Sequence, residues 1–421
     1  MKRKLMNDHC NIAVLGLGYV GLPLSVAFGK KFSTIGFDID ISRVEELSAG
    51  VDRTLECERF EIEEAGLLSF SSRLEELKQC NIYIVTVPTP IDTDMQPDLG
   101  PLISASRMVG KVISKEDVVV FESTVYPGAT EEVCIPEIEK VSGLELNIDF
   151  YAGYSPERIN PGDKINRLES IVKVTSGSTS KAAEFVDSLY SEIITAGTFM
   201  ASSIRVAEAS KIIENVQRDV NIALVNELHQ IFSLLNIDTN KVIEAAATKW
   251  NFMKLSPGLV GGHCIGVDPY YLLHKSTSVG YIPDLIRTAR TINNGMPKYL
   301  VDSFIKAIIK NNISPIGCSV LLMGFSFKEN CSDIRNTKVY DLYIGLKEFG
   351  LTVDIYDPLV AADQIRKEYG IRVITEISEL GSYQCGILSV PHDVICEQLV
   401  AGKISFDSSF IYDFKKKLTW A

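Results

Sequence analysis

The stretch "VGGHCIGVD", residues 260–268, sets the thiol of Cys264 among three glycines, with an aspartate, Asp268, four residues on. A cysteine so placed has four readings: a disulfide, a metal ligand, a small packed side chain or a nucleophile. The chain carries nine cysteines, an odd number at irregular spacing without a CxxC pair, which argues against a disulfide framework and against zinc. His263 and Cys264 are adjacent, so their side chains diverge, and no further ligand stands at metal-binding spacing. Taken alone, Cys264 would be a buried thiol in a tight loop. Yet Gly261, Gly262 and Gly266 permit close approach of a ligand, and a thiolate on such a turn can act as a nucleophile.

Other segments hold groups that could serve such a thiolate. Lys211 and Asn215 stand at i, i+4 in a helical stretch and share a face; alone, Lys211 would be a solvated lysine or a partner of Glu208. "FESTVYPGAT" (121–130) and "YSPERINPGD" (154–163) place Thr124 and Glu157 at the C-terminal ends of strands, where open α/β sheets bind ligands. Each by itself would be a turn or cap residue. Gly16, Gly18 and Gly21 form GxGxxG with Leu17, Tyr19 and Val20 between them, after an apolar run and before a helix. The first glycine allows the tight turn, the second the approach of a pyrophosphate, the third close helix–strand packing. Asp38 ends the next strand, where an acid accepts from both ribose hydroxyls and repels a 2′-phosphate, so NAD is expected over NADP.

The elements that must position these groups alternate strand with helix. Strands are expected at 11–15, 34–40, 81–90, 116–125 and 147–157, with helices at 22–31, 41–49 and 101–114 between them: a parallel, doubly wound sheet. From residue 203 apolar side chains recur at 206, 209, 213, 216, 220, 224, 228, 231 and 235, helical periodicity held for about nine turns, roughly 45–50 Å. Further helices are expected at 239–247 and 283–312, with a Gly/Pro-rich loop at 256–269. Strand signals resume at 319–327, 352–358, 371–375 and 385–390. The fold class is therefore α/β, two Rossmann-like doubly wound domains joined by a helical middle with one long helix. The boundaries expected are 1–200, 201–312 and 313–421. No apolar run is long enough to span a membrane, and the basic N-terminus lacks a signal-peptide core, which implies a cytoplasmic protein. A net charge of −12 argues against a nucleic-acid surface.

The motifs "GLGYVGLP", "VTVPTP", "ESTVYPGAT", "SPERINPGD", "AEASKIIEN", "GGHCIGVDPYYL" and "GFSFKENCSDIRNT" stand in the order of the UDP-glucose/GDP-mannose dehydrogenase family, the nucleotide-sugar 6-dehydrogenases, which the chain resembles over almost its whole length. The resemblance implies an NAD-dependent, four-electron oxidation of a sugar CH2OH to a carboxylate, in a dimer or higher homo-oligomer. It implies Cys264 as the nucleophile, carrying first a thiohemiacetal and then a thioester. Asp268 and Lys211 would handle protons and the alkoxide, Asn215 the oxyanion, and Glu157 and Thr124 the water; the division among Lys211, Asp268 and Glu157 stays open. Cofactor contacts are implied for Gly16, Gly18, Tyr19, Val20, Gly21, Asp38, Arg43, Thr86, Pro88, Thr89, Thr124 and Arg335. Substrate contacts are implied for Glu157, Arg158, Ile159, Lys211, Asn215, Arg218, Phe252, Lys254, Gly261, Arg287, Phe327 and Lys328. Arg287 has the alternative of a helix surface, and Lys328 and Arg335 that of surface cations.

Two departures bear on the sugar. UDP-glucose dehydrogenases carry a second glutamate where this chain has Pro161, and their cysteine loop is of the GGxCFxKD type rather than "GGHCIGVDPYYL". Both resemble the branch acting on UDP-N-acetylhexosamines, UDP-GlcNAc before UDP-GalNAc, for capsule, Vi-type or O-antigen polysaccharides. UDP-glucose, GDP-mannose or UDP-ManNAc are the alternatives within the family. A two-electron hydroxyacid-type dehydrogenase would need no cysteine and no third α/β domain, and an NAD-binding regulator would bind without turnover.

Overall fold

The computed structural model describes residues 10–92, 94–159 and 167–418. Pro161 lies outside them. The chain divides into two compact units, Met1–Glu214 with Tyr270–Tyr281, and Asn215–Pro269 with Ile282–Ala421, so one boundary falls within the long helix.

The first unit is built on six parallel strands, β1 (Asn11–Leu15), β2 (Ser33–Phe37), β3 (Leu68–Ser71), β4 (Ile82–Val85), β5 (Val118–Phe121) and β6 (Tyr151–Tyr154), in the order β3-β2-β1-β4-β5-β6. β4 and β5 read IYIV and VVVF and are buried throughout, as strands covered by helices on both faces must be. The strand order reverses between β1 and β4, which opens the crevice where such sheets receive a nucleotide. A short parallel pair, β7 (Lys173–Thr175) and β8 (Thr198–Met200), follows the sheet.

The second unit carries a parallel sheet of β9 (Ser319–Met323), β10 (Thr352–Tyr356), β11 (Tyr383–Leu388) and β12 (Phe406–Tyr412), ordered β10-β9-β11-β12. Phe304, Leu322, Leu342 and Ile387 are among the side chains of its core. The fold class is thus the α/β, doubly wound arrangement that the strand–helix alternation implies.

Three local expectations are corrected. The run 371–375 is not a strand: Ile374 makes a single bridge to Tyr356, and the buried Val373 and Ile374 serve the core without a ladder. The fourth strand of that sheet is β12 instead, unread because "FDSSFIY" mixes serines into the edge strand. The loop at 256–269 ends in a helix that begins at Asp268 (Asp268–Ser278).

The long helix, Ile204–Leu234, is as expected, but its faces are not those of an ordinary amphipathic helix. Val206, Ile213, Leu224 and Ile231 of the apolar series are exposed, Ile213 by 56 % and Leu224 by 53 %. Glu208, Lys211, Asn215, Asp219 and Asn226 are buried. Burying unpaired polar groups costs stability, so each buried one requires a partner or a ligand.

Candidate active site

In the first unit the glycine loop is built from behind. Gly16 has φ +98°, and a Cβ there would meet the Thr86 carbonyl at 3.2 Å. A Cβ on Gly21 would stand 1.8 Å from the Gly16 carbonyl oxygen, so the helix Gly21–Gly29 can approach the loop only as glycine. A Cβ on Gly18 would meet nothing within 4 Å, which leaves this side of the loop open to a ligand. No side chain caps the helix at Val20, and an uncapped helix N-terminus suits a phosphate. Asp38 accepts from Leu17 N at 2.8 Å and from Asp40 N at 3.0 Å, which fixes its side chain beside the loop. These residues fit a dinucleotide: Gly16, Gly18, Val20 and Gly21 for the pyrophosphate, Asp38 for the ribose.

Some expected cofactor residues act one step back. Arg43 is 2 % exposed and donates to the Leu17 carbonyl, Glu46 and Asp52, so it braces the loop rather than meeting a ligand. Thr86 is likewise buried, and its hydroxyl donates to the carbonyls of Leu15 and Gly16. Thr89 Oγ1 donates to the Thr124 carbonyl at 2.7 Å and ties the loops after β4 and β5 together, while Pro88 is exposed and Tyr19 half-buried. The loop carrying Thr124 is held further on by Glu208, whose carboxylate accepts from Gly128 N (2.5 Å) and Thr130 N (2.9 Å). Burial pushes Glu208 up to about 6, partly offset by those two amides. Glu208 is therefore engaged with this loop and not with Lys211.

Lys211 itself is 8 % exposed and has no ion pair among the described residues. Glu157 is also buried; its Oε1 accepts from Arg158 N and Ile159 N, both at 2.5 Å, and its Oε2 from Lys173 Nζ at 3.3 Å. The Arg158 side chain goes to Glu214 (2.7 Å) and the Val172 carbonyl, and Ile159 packs on the core.

In the second unit Asn215 Nδ2 donates to Asp268 Oδ2 at 2.5 Å, and the Cys264 carbonyl accepts from Val267 N (3.0 Å) and Asp268 N (2.8 Å). The thiol-bearing residue and the Asn–Asp pair are thus joined by one turn. That turn lies on the loop after β9. A Cβ on Gly261 would come within 2.6 Å of the Asn336 carbonyl, and one on Gly262 (φ +79°) within 2.8 Å of the Phe327 ring; Asn336 Nδ2 donates to the Gly262 carbonyl. Asp333 accepts two bonds from Arg335 Nε, pairs with Arg335 Nη2 at 2.5 Å and stands 3.6 Å from His263 Nδ1. Burial works against the Asp333 carboxylate, but Arg335 and His263 hold it below the usual range. Lys328 Nζ lies 5.4 Å from the Phe327 ring centre.

The run leading to this loop is anchored on the long helix. Asn226 exchanges two hydrogen bonds with the Gly258 backbone (2.8 and 3.0 Å) and donates to Asn293, which with Arg290 binds Asp219. Neither Asn226 nor Asp219 was singled out in the sequence; the signal was polar residues recurring along one side of an otherwise apolar helix. Arg218, Phe252 and Lys254 are exposed, and Arg287 is an exposed partner of Asp284 (2.6 Å), the helix-surface alternative.

Comparison with known proteins finds one family along the chain. Residues 10–194 match the NAD binding domain of the UDP-glucose/GDP-mannose dehydrogenase family, 205–295 its central domain and 321–419 its UDP binding domain. A UDP-N-acetyl-D-glucosamine 6-dehydrogenase of Pseudomonas aeruginosa is 59 % identical over 381 residues, 90 % of each chain. One of Salmonella typhi is 55 % identical, covering 91 % of this chain and 90 % of the relative. The solved UDP-D-ManNAc dehydrogenase of Pyrococcus horikoshii superposes with a TM-score of 0.86 at 30 % identity, over 97 % of this chain and 96 % of that one.

Proposed function

The chain belongs to the UDP-glucose/GDP-mannose dehydrogenase family, and from that premise we propose that it oxidises C6 of a UDP-N-acetylhexosamine, UDP-GlcNAc first and UDP-GalNAc next, to the uronate. The observation that carries the reading is the junction of Cys264 with the 2.5 Å Asn215–Asp268 pair. A thiol, an amide donor and a carboxylate so joined suit acyl chemistry, which a two-electron alcohol dehydrogenase does not need. The high identity to UDP-GlcNAc 6-dehydrogenases favours the acetamido sugar over glucose or mannose.

Gly16, Gly18, Val20 and Gly21 would hold NAD, which would supply the hydride acceptor for C6, a fresh NAD for each of the two oxidations. At each oxidation the C6 oxygen gives its proton through a water to Asp268 and on to solvent, while Lys211 and Asn215 stabilise the alkoxide. Cys264 Sγ adds to the resulting aldehyde carbon, and its proton goes to the sugar oxygen, with Asp268 mediating. Once the thiohemiacetal is oxidised to the thioester, Glu157, with Thr124 beside the water, takes a proton from water as its oxygen bonds to C6. Cleavage of the C–S bond then releases the acid, and the departing sulfur takes up a proton to restore the Cys264 thiol. Phe327 and Lys328 would serve the UDP-sugar and its charge, and Arg335 the cofactor.

With purified enzyme and saturating NAD, kcat/KM on UDP-GlcNAc is expected to exceed that on UDP-glucose, UDP-ManNAc and GDP-mannose. Equal or better turnover of UDP-glucose would remove the acetamido reading. Among the described residues no helix is long and apolar enough to cross a membrane; we place the enzyme in the cytoplasm, supplying uronate to surface polysaccharides. The exposed row Val206, Ile213, Leu224 and Ile231 supports a homodimer or higher assembly. Light scattering should give a multiple of the chain mass, reduced by Leu224→Glu; a monomeric parent would refute this.

A further inference from the structure

Behind Glu157 the first unit buries a charged group that no step above employs. Glu122 follows β5, Lys173 opens β7, and Tyr190 lies on the helix Ser180–Ser191; all three are fully or almost fully buried. Lys173 Nζ donates to Glu122 Oε2 at 2.6 Å and to Glu157 Oε2 at 3.3 Å, and it stands 5.3 Å from the Tyr190 ring centre. The Tyr190 hydroxyl donates to Glu122 Oε1. Lys173 thus bridges the proposed water base to a second carboxylate with no access to solvent.

Such a group is poorly explained by stability, because apolar side chains of similar volume generally hold a core as well as a buried ion pair does. Its charge count is more telling. Two carboxylates face one ammonium, and the tyrosine is neutral, so the fully ionised group carries one unbalanced negative charge in a buried setting. One proton restores the balance. Burial, and then the charge of Glu157, push Glu122 up to about 7 against the pull of Lys173. Burial lowers Lys173, but the two carboxylates outweigh it and raise its pKa overall, so the lysine stays charged.

We propose that Lys173 and Glu122 are positioning residues for Glu157: Lys173 fixes its carboxylate and exchanges protons with it, and Glu122 stores the proton taken from water during thioester hydrolysis. As the water oxygen bonds to C6, one proton moves to Glu157. Lys173 gives one N–H proton to Glu122 and regains one from Glu157, which is again a carboxylate; no electrons move in the exchange. This assignment rests on Glu157 being the water base.

The test is the rate of thioester hydrolysis in a single turnover as a function of pH. Lys173→Met leaves two buried carboxylates without a cation, and the acid limb of the profile should move up by about 1–3 pH units. Glu122→Gln leaves Lys173 to Glu157 alone, and the limb should move down. Lys173→Arg should return it toward the parent position. A merely structural role would lower the rate alike at every pH. The proposal is overturned if the limb stays in place in folded variants, or if both variants shift it the same way; should Lys173→Met not fold, Glu122→Gln alone decides. Glu157→Gln separates the two levels. If it retains full hydrolysis, the assignment of Glu157 itself falls; if it accumulates acyl-enzyme on Cys264 while the limbs of the other variants do not move, only the proton store falls.

Discussion

Cys264→Ser is expected to lower turnover to the acid by about 10³-fold or more, while the melting temperature and NAD affinity stay those of the parent. The structural reason lies in what the residue contributes. Its backbone carbonyl closes the turn onto Val267 and Asp268, and that bond survives the substitution. The space of the turn is set by Gly261 and Gly262 against Asn336 and Phe327. The substitution takes away the nucleophile. A hydroxyl is far less ionised than a thiol near neutral pH, and an ester would hydrolyse more slowly than a thioester, so even the oxygen analogue should fail. Cys264→Ala should behave alike. Activity retained in either variant would take Cys264 out of the mechanism.

Lys211→Met should separate activity from stability. The residue is 8 % exposed and has no ion pair among the described residues, so the folded chain alone gains little from its charge. Methionine fills similar volume without the charge, so the variant should melt at the parent temperature or above. Turnover should fall by about 10²–10⁴-fold, the range for removing a proton-handling or alkoxide-stabilising group. The measurements are kcat with saturating UDP-GlcNAc and calorimetric melting. A variant that loses stability in proportion to activity would make Lys211 a structural lysine.

The two opposite predictions for this residue follow from the face it occupies. The apolar period of residues 206–235 gave the long helix nearly to the residue, because local periodicity alone dictates a helix. It could not say which face is inside. Val206, Ile213, Leu224 and Ile231 face outward in this chain, while Glu208, Asp219 and Asn226 are inside because each has a partner: the amides of Gly128 and Thr130, the Arg290–Asn293 pair, and the Gly258 backbone. Those partners lie far along the sequence, and periodicity carries no such information. The glycine loop was legible for the opposite reason. Its requirements are local, a turn at Gly16 and a missing Cβ at Gly21, and glycine is the residue that meets them. Arg43 shows the limit: the resemblance implied cofactor contact, but three acceptors from Leu17, Glu46 and Asp52 surround it. Lys173 and Glu122 went unnoticed because strand residues adjacent to apolar runs reveal nothing of the charges they meet across the sheet.

The central claim is that one thiol carries a sugar through two oxidations. It is tested most directly by counting NADH formed per UDP-GlcNAc consumed by the parent enzyme, with the sugar limiting and NAD in excess. The account predicts two NADH and one UDP-uronate for each sugar, with no free aldehyde trapped by hydrazine. One NADH per sugar, with an aldehyde or ketone as the product, would contradict it.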